Sequence, residues 1–335
     1  MPPATAADKT ATDAKAKPAP AAGKAAAPKA KSAAPTAKAP AKKKEPTYPL
    51  AKDPRPYAAS PHAKNIDAGL NYLVKDESFG RWMNLAFLDM LQRKFGLHKR
   101  YSIAESFSAE RRGDANTGAM TTFGRITDPG QQCDISKLPA VISMNPSISM
   151  MLKALYCDQN PVPNSYFTSL TGLFDLYLKT EPRTLDTEYG VTHAVLAYQW
   201  LKENGCMADT PGFADFQAKI APALTDIITK GGMRRDVGYE SVAMMYYAGC
   251  GDAVDKAWLD EVAAAQQADG GWAYAHDPEK GVSDGRPTVL ALWALLESAV
   301  PDAPKTPMIA PASPVKPVEP VAAVEKVAPA PPKKK

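Results

Sequence analysis

The sequence predicts an all-α fold in which two kinds of helix alternate along the chain. Apolar residues recur at spacings of three and four through most of residues 49–300, which is the periodicity of helices. Some of these segments have one polar face, whereas others are apolar on every side. The two-residue alternation typical of strands is scarce. Because a helix that is apolar all round needs neighbours all round, the pattern predicts two layers of helices.

The front half of this region contains two pairs of segments. Ile66 and Leu70 fall on one face of a helix, and the next segment, 82–91, is mostly apolar. Residues 164–178 are again amphipathic. The segment that follows them, 190–203, is largely apolar. Each pair therefore predicts an outer helix followed by an inner one.

The back half repeats the pattern twice. Between 211 and 230, apolar residues recur three or four apart with Gln, Lys and Asp between them, and 240–249 has no polar face. Residues 255–267 are amphipathic, and 287–299 are apolar on every side. The alternation predicts a closed ring of helical hairpins, with an inner barrel inside an outer one. An open α-solenoid is the alternative, but its apolar inner layer would face water.

Composition divides the chain into three parts. Of 40 basic and 36 acidic residues, 1–48 contain ten Lys against three acids and 301–335 contain six Lys against three. Residues 49–300 keep 24 basic and 30 acidic residues. Neither end has the large apolar residues that offset the entropy of ordering, so we predict disordered tails around a single domain at 49–300. The positive tails suit a polyanion or an acidic surface.

Signals for export and membrane insertion are missing from the sequence. The N-terminus has no apolar segment of a secretory signal peptide, and the longest apolar run, 288–296, is too short for a transmembrane span. The four cysteines lack a CxxC pair, which argues against a structural zinc site. At face value they are free thiols of a cytoplasmic protein. A start site further upstream would instead make the protein exported, with room for two disulfides.

One stretch near the end of the domain carries a recognisable pattern. Val262 is followed four residues later by Gln266, and then by the turn Asp269-Gly270-Gly271-Trp272. This resembles the QW repeat of terpenoid cyclases and protein prenyltransferases, a superfamily whose α/α-toroid fold agrees with the helix alternation. Weaker copies stand at 80–82 and 231–233. The resemblance implies that Gln266 caps backbone groups and that Trp272 fills the gap between neighbouring hairpins.

The catalytic motifs of that superfamily do not accompany the repeat. The chain has no Asp-x-Asp-Asp, no Asp-Cys-Thr-Ala-Glu and no Asp-x-Cys zinc pair. The run from Gly249 to Asp252 begins like the thioester motif Gly-Cys-Gly-Glu-Gln, but Ala253 replaces the Gln. A phosphate loop, a nucleophile elbow and a His-Glu-x-x-His motif are also missing. The sequence therefore predicts no cofactor and no metal.

The candidate site is a set of polar residues near the starts of the inner helices: Asp186, Glu188, His193, Glu240 and Asp284. The amino ends of inner helices converge on one mouth of a toroid, so these groups are expected to share a cavity. Two carboxylates and a His can perform general acid–base chemistry. Acids at helix starts are equally expected as caps and dipole partners, and a lone His as a hydrogen-bonded core residue. Both interpretations stay open at this point.

Three functions are compatible with the sequence. The absent motifs and the basic tails favour a non-catalytic binding or scaffold module with an unknown partner. The alternative is a hydrolase or lyase that acts on a polysaccharide through the acidic mouth. A second alternative is non-specific nucleic-acid binding through the Lys-rich tails.

Overall fold

The computed structural model describes residues 55–75, 82–97, 123–126, 130–135, 144–207, 209–274 and 282–309. All of them belong to one unit, Tyr48–Lys335. Apart from a single bridge between Trp272 and Asp284, this described part contains no β-structure. The all-α prediction is therefore confirmed. The predicted tail at 1–48, most of the second tail, and Gly80 and Arg81 of the first weak repeat lie outside the described residues.

The described part contains nine α-helices and two short 3-10 turns. The helices are α1 Ala63–Lys75, α2 Trp82–Phe95, α3 Pro146–Leu155, α4 Ser165–Lys179, α5 Leu185–Glu203, α6 Phe213–Gly231, α7 Asp236–Tyr247, α8 Lys256–Ala264 and α9 Gly285–Ala299. Several begin at a polar cap. The Asn145 side chain accepts a hydrogen bond from the Ile148 amide at the start of α3, and Thr184 forms a capping box with Thr187 at the start of α5.

Burial alternates along the chain in the way that the apolar pattern predicts. Every residue is buried from Gly190 to Leu201 in α5, from Asp236 to Met245 in α7 and from Pro287 to Glu297 in α9. In contrast, α6 buries seven of its 19 residues, all of them apolar. Helices α5, α7 and α9 thus form an inner layer, and α4, α6 and α8 cover it from outside.

The inner helices run in the same direction. At their carboxyl ends, the Asn204 amide after α5 donates to the Ala154 carbonyl of α3 over 3.0 Å. The Tyr247 hydroxyl at the end of α7 donates to Glu203 at the end of α5 over 2.6 Å. Because each intervening outer helix returns the chain, consecutive inner helices start at the same side of the molecule. Their amino ends are therefore neighbours.

The last helix packs against the first two. The rings of Phe87 in α2 and Trp293 in α9 lie 5.5 Å apart between centroids. Lys94 near the end of α2 donates to both carboxylate oxygens of Glu297 near the end of α9, at 2.7 and 2.8 Å. Helix α2 is therefore parallel to α9 and belongs to the inner layer, and the two ends of the domain meet.

The turn between α8 and α9 joins these two ends through side-chain and backbone groups. Gln266 donates to the Asn65 carbonyl of α1 at 2.9 Å and to the Gly270 carbonyl at 2.7 Å. The Asn65 amide donates in return to the Gln266 side-chain oxygen at 2.8 Å. Gly270 has a φ of 94°, a conformation that favours glycine. The turn thus fastens α1 to the carboxyl end of α8.

Trp272 fills the space behind this turn. Its side chain is fully buried, and its indole Nε1 donates to the Val262 carbonyl over 2.7 Å. A Cβ placed on Gly69 of α1 would come within 2.7 Å of the Trp272 ring, so only glycine leaves room for the indole at that position. The predicted packing role of Trp272 agrees with this placement.

The packed chain continues beyond the predicted domain boundary at residue 300. Met308 is fully buried and Ile309 is buried. The described chain thus reaches into the segment 301–335 that the sequence predicts to be a disordered tail. The composition of 301–309 is poor in apolar residues, but backbone groups of this segment form hydrogen bonds with charged side chains of the helices, a contribution that composition does not reveal.

A disulfide links the carboxyl ends of α3 and α5. Cys157 follows α3 and Cys206 follows α5, and their Cα atoms lie 6.3 Å apart across the bond. The face-value expectation of four free thiols is wrong for this pair, because the parallel packing of α3 and α5 places the two residues side by side. Cys133 and Cys250 are free and half-buried.

We expect Trp272→Ala to destabilise the domain by about 3–5 kcal/mol, because it leaves a cavity between α1 and α9 and an unpaired Val262 carbonyl. Trp258→Ala, at a half-buried position on the outer helix α8, serves as the matched control and should cost less than half as much. Urea unfolding at constant m-value measures both. Equal losses in the two variants would contradict the packing role of Trp272.

The disulfide gives a second prediction. It closes a loop with a sequence separation of 49, so Cys157→Ala with Cys206→Ala should cost about 4 kcal/mol. Cys133→Ala at a free cysteine should be close to neutral. A thiol titration of the denatured, unreduced protein should find two reactive groups; finding four would show that the bond does not form.

Candidate functional site

The amino ends of the parallel inner helices bring a set of polar side chains together. Four helices contribute to this set, which we call the amino-end cluster: Ser147 from α3; Glu188, Tyr189 and His193 from α5; Asp236 and Glu240 from α7; and Arg286 from α9. The cap residue before α7, Arg235, also takes part. The cluster exists because successive inner helices start at the same side of the domain.

Glu188 is held by the arginine that precedes the next inner helix. Its two carboxylate oxygens accept from Arg235 at 2.8 Å and 2.5 Å in a bidentate ion pair. The Arg235 Nε donates to the Gly232 carbonyl at 3.1 Å, which orients the guanidinium. Glu188 is 4% exposed, so the ion pair with Arg235 offsets part of the cost of burying a carboxylate.

Arg286 neutralises the two acids of α7. It donates to Glu240 over 2.8 Å, and its Nε lies 3.7 Å from an Asp236 carboxylate oxygen. Its guanidinium also lies over the Tyr189 ring, 4.8 Å from the centroid. Burial alone would lower the pKa of Arg286, but the negative charges of Glu240 and Asp236 outweigh it and raise that pKa. Arg286 therefore stays charged and supplies a positive charge beside both carboxylates.

His193 lies at the edge of the cluster next to α3. Its Nδ1 is 3.0 Å from the Ser147 hydroxyl, and that hydroxyl donates to the Asn145 side-chain oxygen over 2.9 Å. Because a hydroxyl has a single proton, Nδ1 carries the proton of the imidazole and donates to Ser147. The His193 ring also stacks on Tyr189 with centroids 5.8 Å apart. These contacts fix the ring and leave Nε2 as the basic nitrogen.

The imidazole of His193 is neutral at physiological pH. Burial is the largest cause and lowers its pKa to about 4; the Glu240 charge opposes the shift, and the Arg286 charge adds to it. A neutral imidazole is the form that a general base requires. It is also the form that a buried core histidine adopts.

The structure places the five residues predicted from the sequence in different environments. Glu188, His193 and Glu240 lie in the cluster. Asp284 instead caps α9 by accepting from the Arg286 amide at 2.9 Å. Asp186 is exposed in the first turn of α5.

Sequence reasoning did not select Ser147 or Arg286. Arg286 had a detectable signal, since it is the one charged residue in the first two turns of a helix that is otherwise apolar there. Ser147 had none, because its role depends on the distance from α3 to α5.

Within the described residues, no group of three or more His, Cys, Asp or Glu side chains is arranged to hold a metal ion. None of the described helices combines the length and hydropathy that crossing a membrane requires. Comparison with protein-family models, with curated protein sequences and with solved structures finds no match to this chain. The resemblance to terpenoid cyclases and prenyltransferases therefore stays a prediction from the sequence.

We expect Arg286→Gln to destabilise the domain by about 3–5 kcal/mol, because it removes the positive charge that is bonded to the buried Glu240 carboxylate and that lies 3.7 Å from Asp236. Adding Glu240→Gln should recover part of that loss. Arg55→Gln removes a pair with Asp67 in which the arginine is 47% exposed, and should cost at most about 1 kcal/mol. Urea unfolding of the three variants measures how much unfolding free energy each one loses. An Arg286→Gln variant as stable as the wild type would contradict the interpretation of Arg286 as the partner of buried carboxylates.

The lowered pKa of His193 predicts a pH dependence. The folded state binds the imidazole proton less tightly than the unfolded state does, so stability is present above pH 6.5 and is lost as the pH falls towards about 4. The loss from this group approaches about 3 kcal/mol. His193→Asn keeps a donor for Ser147 but does not titrate, and should flatten this part of the curve of unfolding free energy against pH. An unchanged slope in His193→Asn would contradict the prediction.

Proposed function

We propose that residues 49–309 form a closed α/α toroid that acts as a non-catalytic binding or scaffold module, with basic arms at both ends of the chain. Closure is supported by three contacts between the ends of the domain. Asn65 is bonded to Gln266, Gly69 packs under Trp272, and Phe87 lies against Trp293. In an open solenoid each hairpin contacts only its neighbours, so the first and last hairpins do not meet.

The observation that carries the functional proposal is the neutralisation of the amino-end cluster. A glycosidase of the usual kind needs one carboxylate free to protonate a leaving group and another free to activate water or attack. Here Glu188 is held bidentately by Arg235, and Glu240 by Arg286. The cluster is consistent with a structural role, in which ion pairs compensate buried charges at the amino ends of the helices.

The arms supply the second part of the proposal. Residues 1–48 have a net charge of +7 and 310–335 of +3, while 49–309 has −6, from the counts of 10 against 3, 5 against 2 and 25 against 31. Positive arms on a negative body favour contact with a polyanion or an acidic surface through the arms. We also infer an oxidising compartment, which the Cys157–Cys206 bond supports. Mass spectrometry of unreduced protein from its native cells tests the compartment.

The hydrolase or lyase remains the second candidate, and one observation favours it. His193 is neutral and carries its proton on Nδ1, so Nε2 has the lone pair of a general base. A polysaccharide lyase would need such a base beside a groove that holds the sugar.

One experiment compares both candidates on the full chain. Hydrolysis and lyase assays on a panel of acidic and neutral polysaccharides are run with the wild type, His193→Asn and Glu240→Gln, and each protein is passed over immobilised heparin. The module predicts no turnover and retention that falls with salt. A variant with its ten Lys in 1–48 changed to Gln should be retained less. Turnover that disappears in His193→Asn at unchanged melting temperature would establish the enzyme instead.

A further inference from the structure

The chain ends its described part as a short segment docked across the carboxyl ends of the inner helices. We call Thr306–Ile309 the strap. Between α9 and the strap, four of the five residues from Pro301 to Lys305 are exposed. Met308 at the centre of the strap is fully buried, and Ile309 is 7% exposed. A buried anchor on an exposed tether is the arrangement of a bound peptide.

Two side chains of opposite charge bind the backbone of the strap. Glu203 at the end of α5 accepts from the amides of Met308 and Ile309, at 3.0 and 3.1 Å. Arg93 of α2 donates to the carbonyls of Pro307 and Met308, at 2.9 and 2.7 Å. The strap is thus recognised through main-chain groups that almost any sequence offers. Such contacts provide affinity, and side-chain pockets provide specificity.

Neighbouring residues hold both charged groups in position. Glu203 accepts from the Tyr247 hydroxyl at 2.6 Å, and the Arg93 Nε donates to Asp89 at 2.9 Å. Burial is the largest influence on Glu203 and raises its pKa, in spite of the three hydrogen bonds that it accepts. Without a peptide, this carboxylate would lose two of its three hydrogen bonds and keep the one from the Tyr247 hydroxyl. Glu203 is therefore positioned to bind a ligand that donates two backbone amides.

The side-chain pocket selects for Met308. A methionine is unbranched and adaptable, and the Met308 side chain packs fully into the hydrophobic core. Its position is where the side chain matters most for fit, because Met308 is fully buried, Ile309 is 7% exposed and Pro307 is exposed.

We propose that the carboxyl ends of α2, α5 and α7 form a peptide-binding site, and that this site accepts an extended segment of a partner protein in exchange for the strap. The partner segment would present a Met-like side chain, followed by a residue with a free backbone amide. The tether keeps the strap at a high effective concentration, so a partner binds only when the strap has left. This inference rests on the proposed binding function and names the chemistry of its partner.

The test uses the full chain and a fluorescent peptide with the sequence of residues 305–311. In Met308→Asp, a charge at the buried position expels the strap. Fluorescence anisotropy should then show binding at least about tenfold tighter than to the wild type, where the strap competes. Lys305→Asp on the exposed tether is the matched control and should behave as the wild type. Adding Glu203→Gln to Met308→Asp should weaken binding, as should a peptide with Asp at the Met position.

Two results would overturn the proposal. The first is the absence of peptide binding to a folded Met308→Asp. The second is equal binding to Met308→Asp, Lys305→Asp and the wild type. If Met308→Asp does not fold, native-state hydrogen exchange of the wild type is the deciding measurement. Exchange of the Met308 and Ile309 amides by local opening would support a detachable strap. Exchange only through global unfolding would refute it. Heparin retention and polysaccharide turnover do not involve this site, so its failure leaves the proposed function separately testable.

Discussion

The fold depends on the need to cover three helices that are apolar on every side. Helices α5, α7 and α9 bury essentially their whole length, so each requires neighbours in all directions. Outer helices supply one side. For α9 the remaining side is covered by the first hairpin, which returns to it after more than two hundred residues. The hydrogen bonds between Asn65 and Gln266 hold that return in place.

Parallel inner helices account for the chemistry at both ends of the domain. Their amino ends carry partial positive charge, which favours the carboxylates of Glu188, Asp236 and Glu240. Packing then buries these groups, and arginines from neighbouring helix starts compensate the cost of desolvation. At the carboxyl ends, Lys94 and Arg93 lie where cations are favoured, and they bind Glu297 and the strap. Helix direction therefore explains both charged regions.

Part of the candidate site followed from local signals. Glu188, His193 and Glu240 stand within the first turns of helices that the apolar pattern predicts, so their convergence needed only the alternation of layers. Their partners were not predictable. Arg235 lies next to Asp236 and near Glu240 in the sequence, yet it pairs with Glu188, 47 residues away. That choice of partner depends on how far each helix is rotated about its axis. The periodicity of a single sequence shows which face of a helix is buried, but it does not give the rotation accurately enough to select one side chain.

By itself, the sequence determined the all-α class of the fold and indicated a packing role for Trp272, because hydrophobic periodicity and turn chemistry are local properties. It did not predict α3, Pro146–Leu155. Only the tertiary structure decided which two of four cysteines join, which arginine neutralises which acid, and that the chain remains packed as far as Ile309. These outcomes depend on distances between residues that are far apart in sequence. The strap has few apolar residues, yet it stays packed because two of its backbone amides are bonded to Glu203 and its methionine is buried.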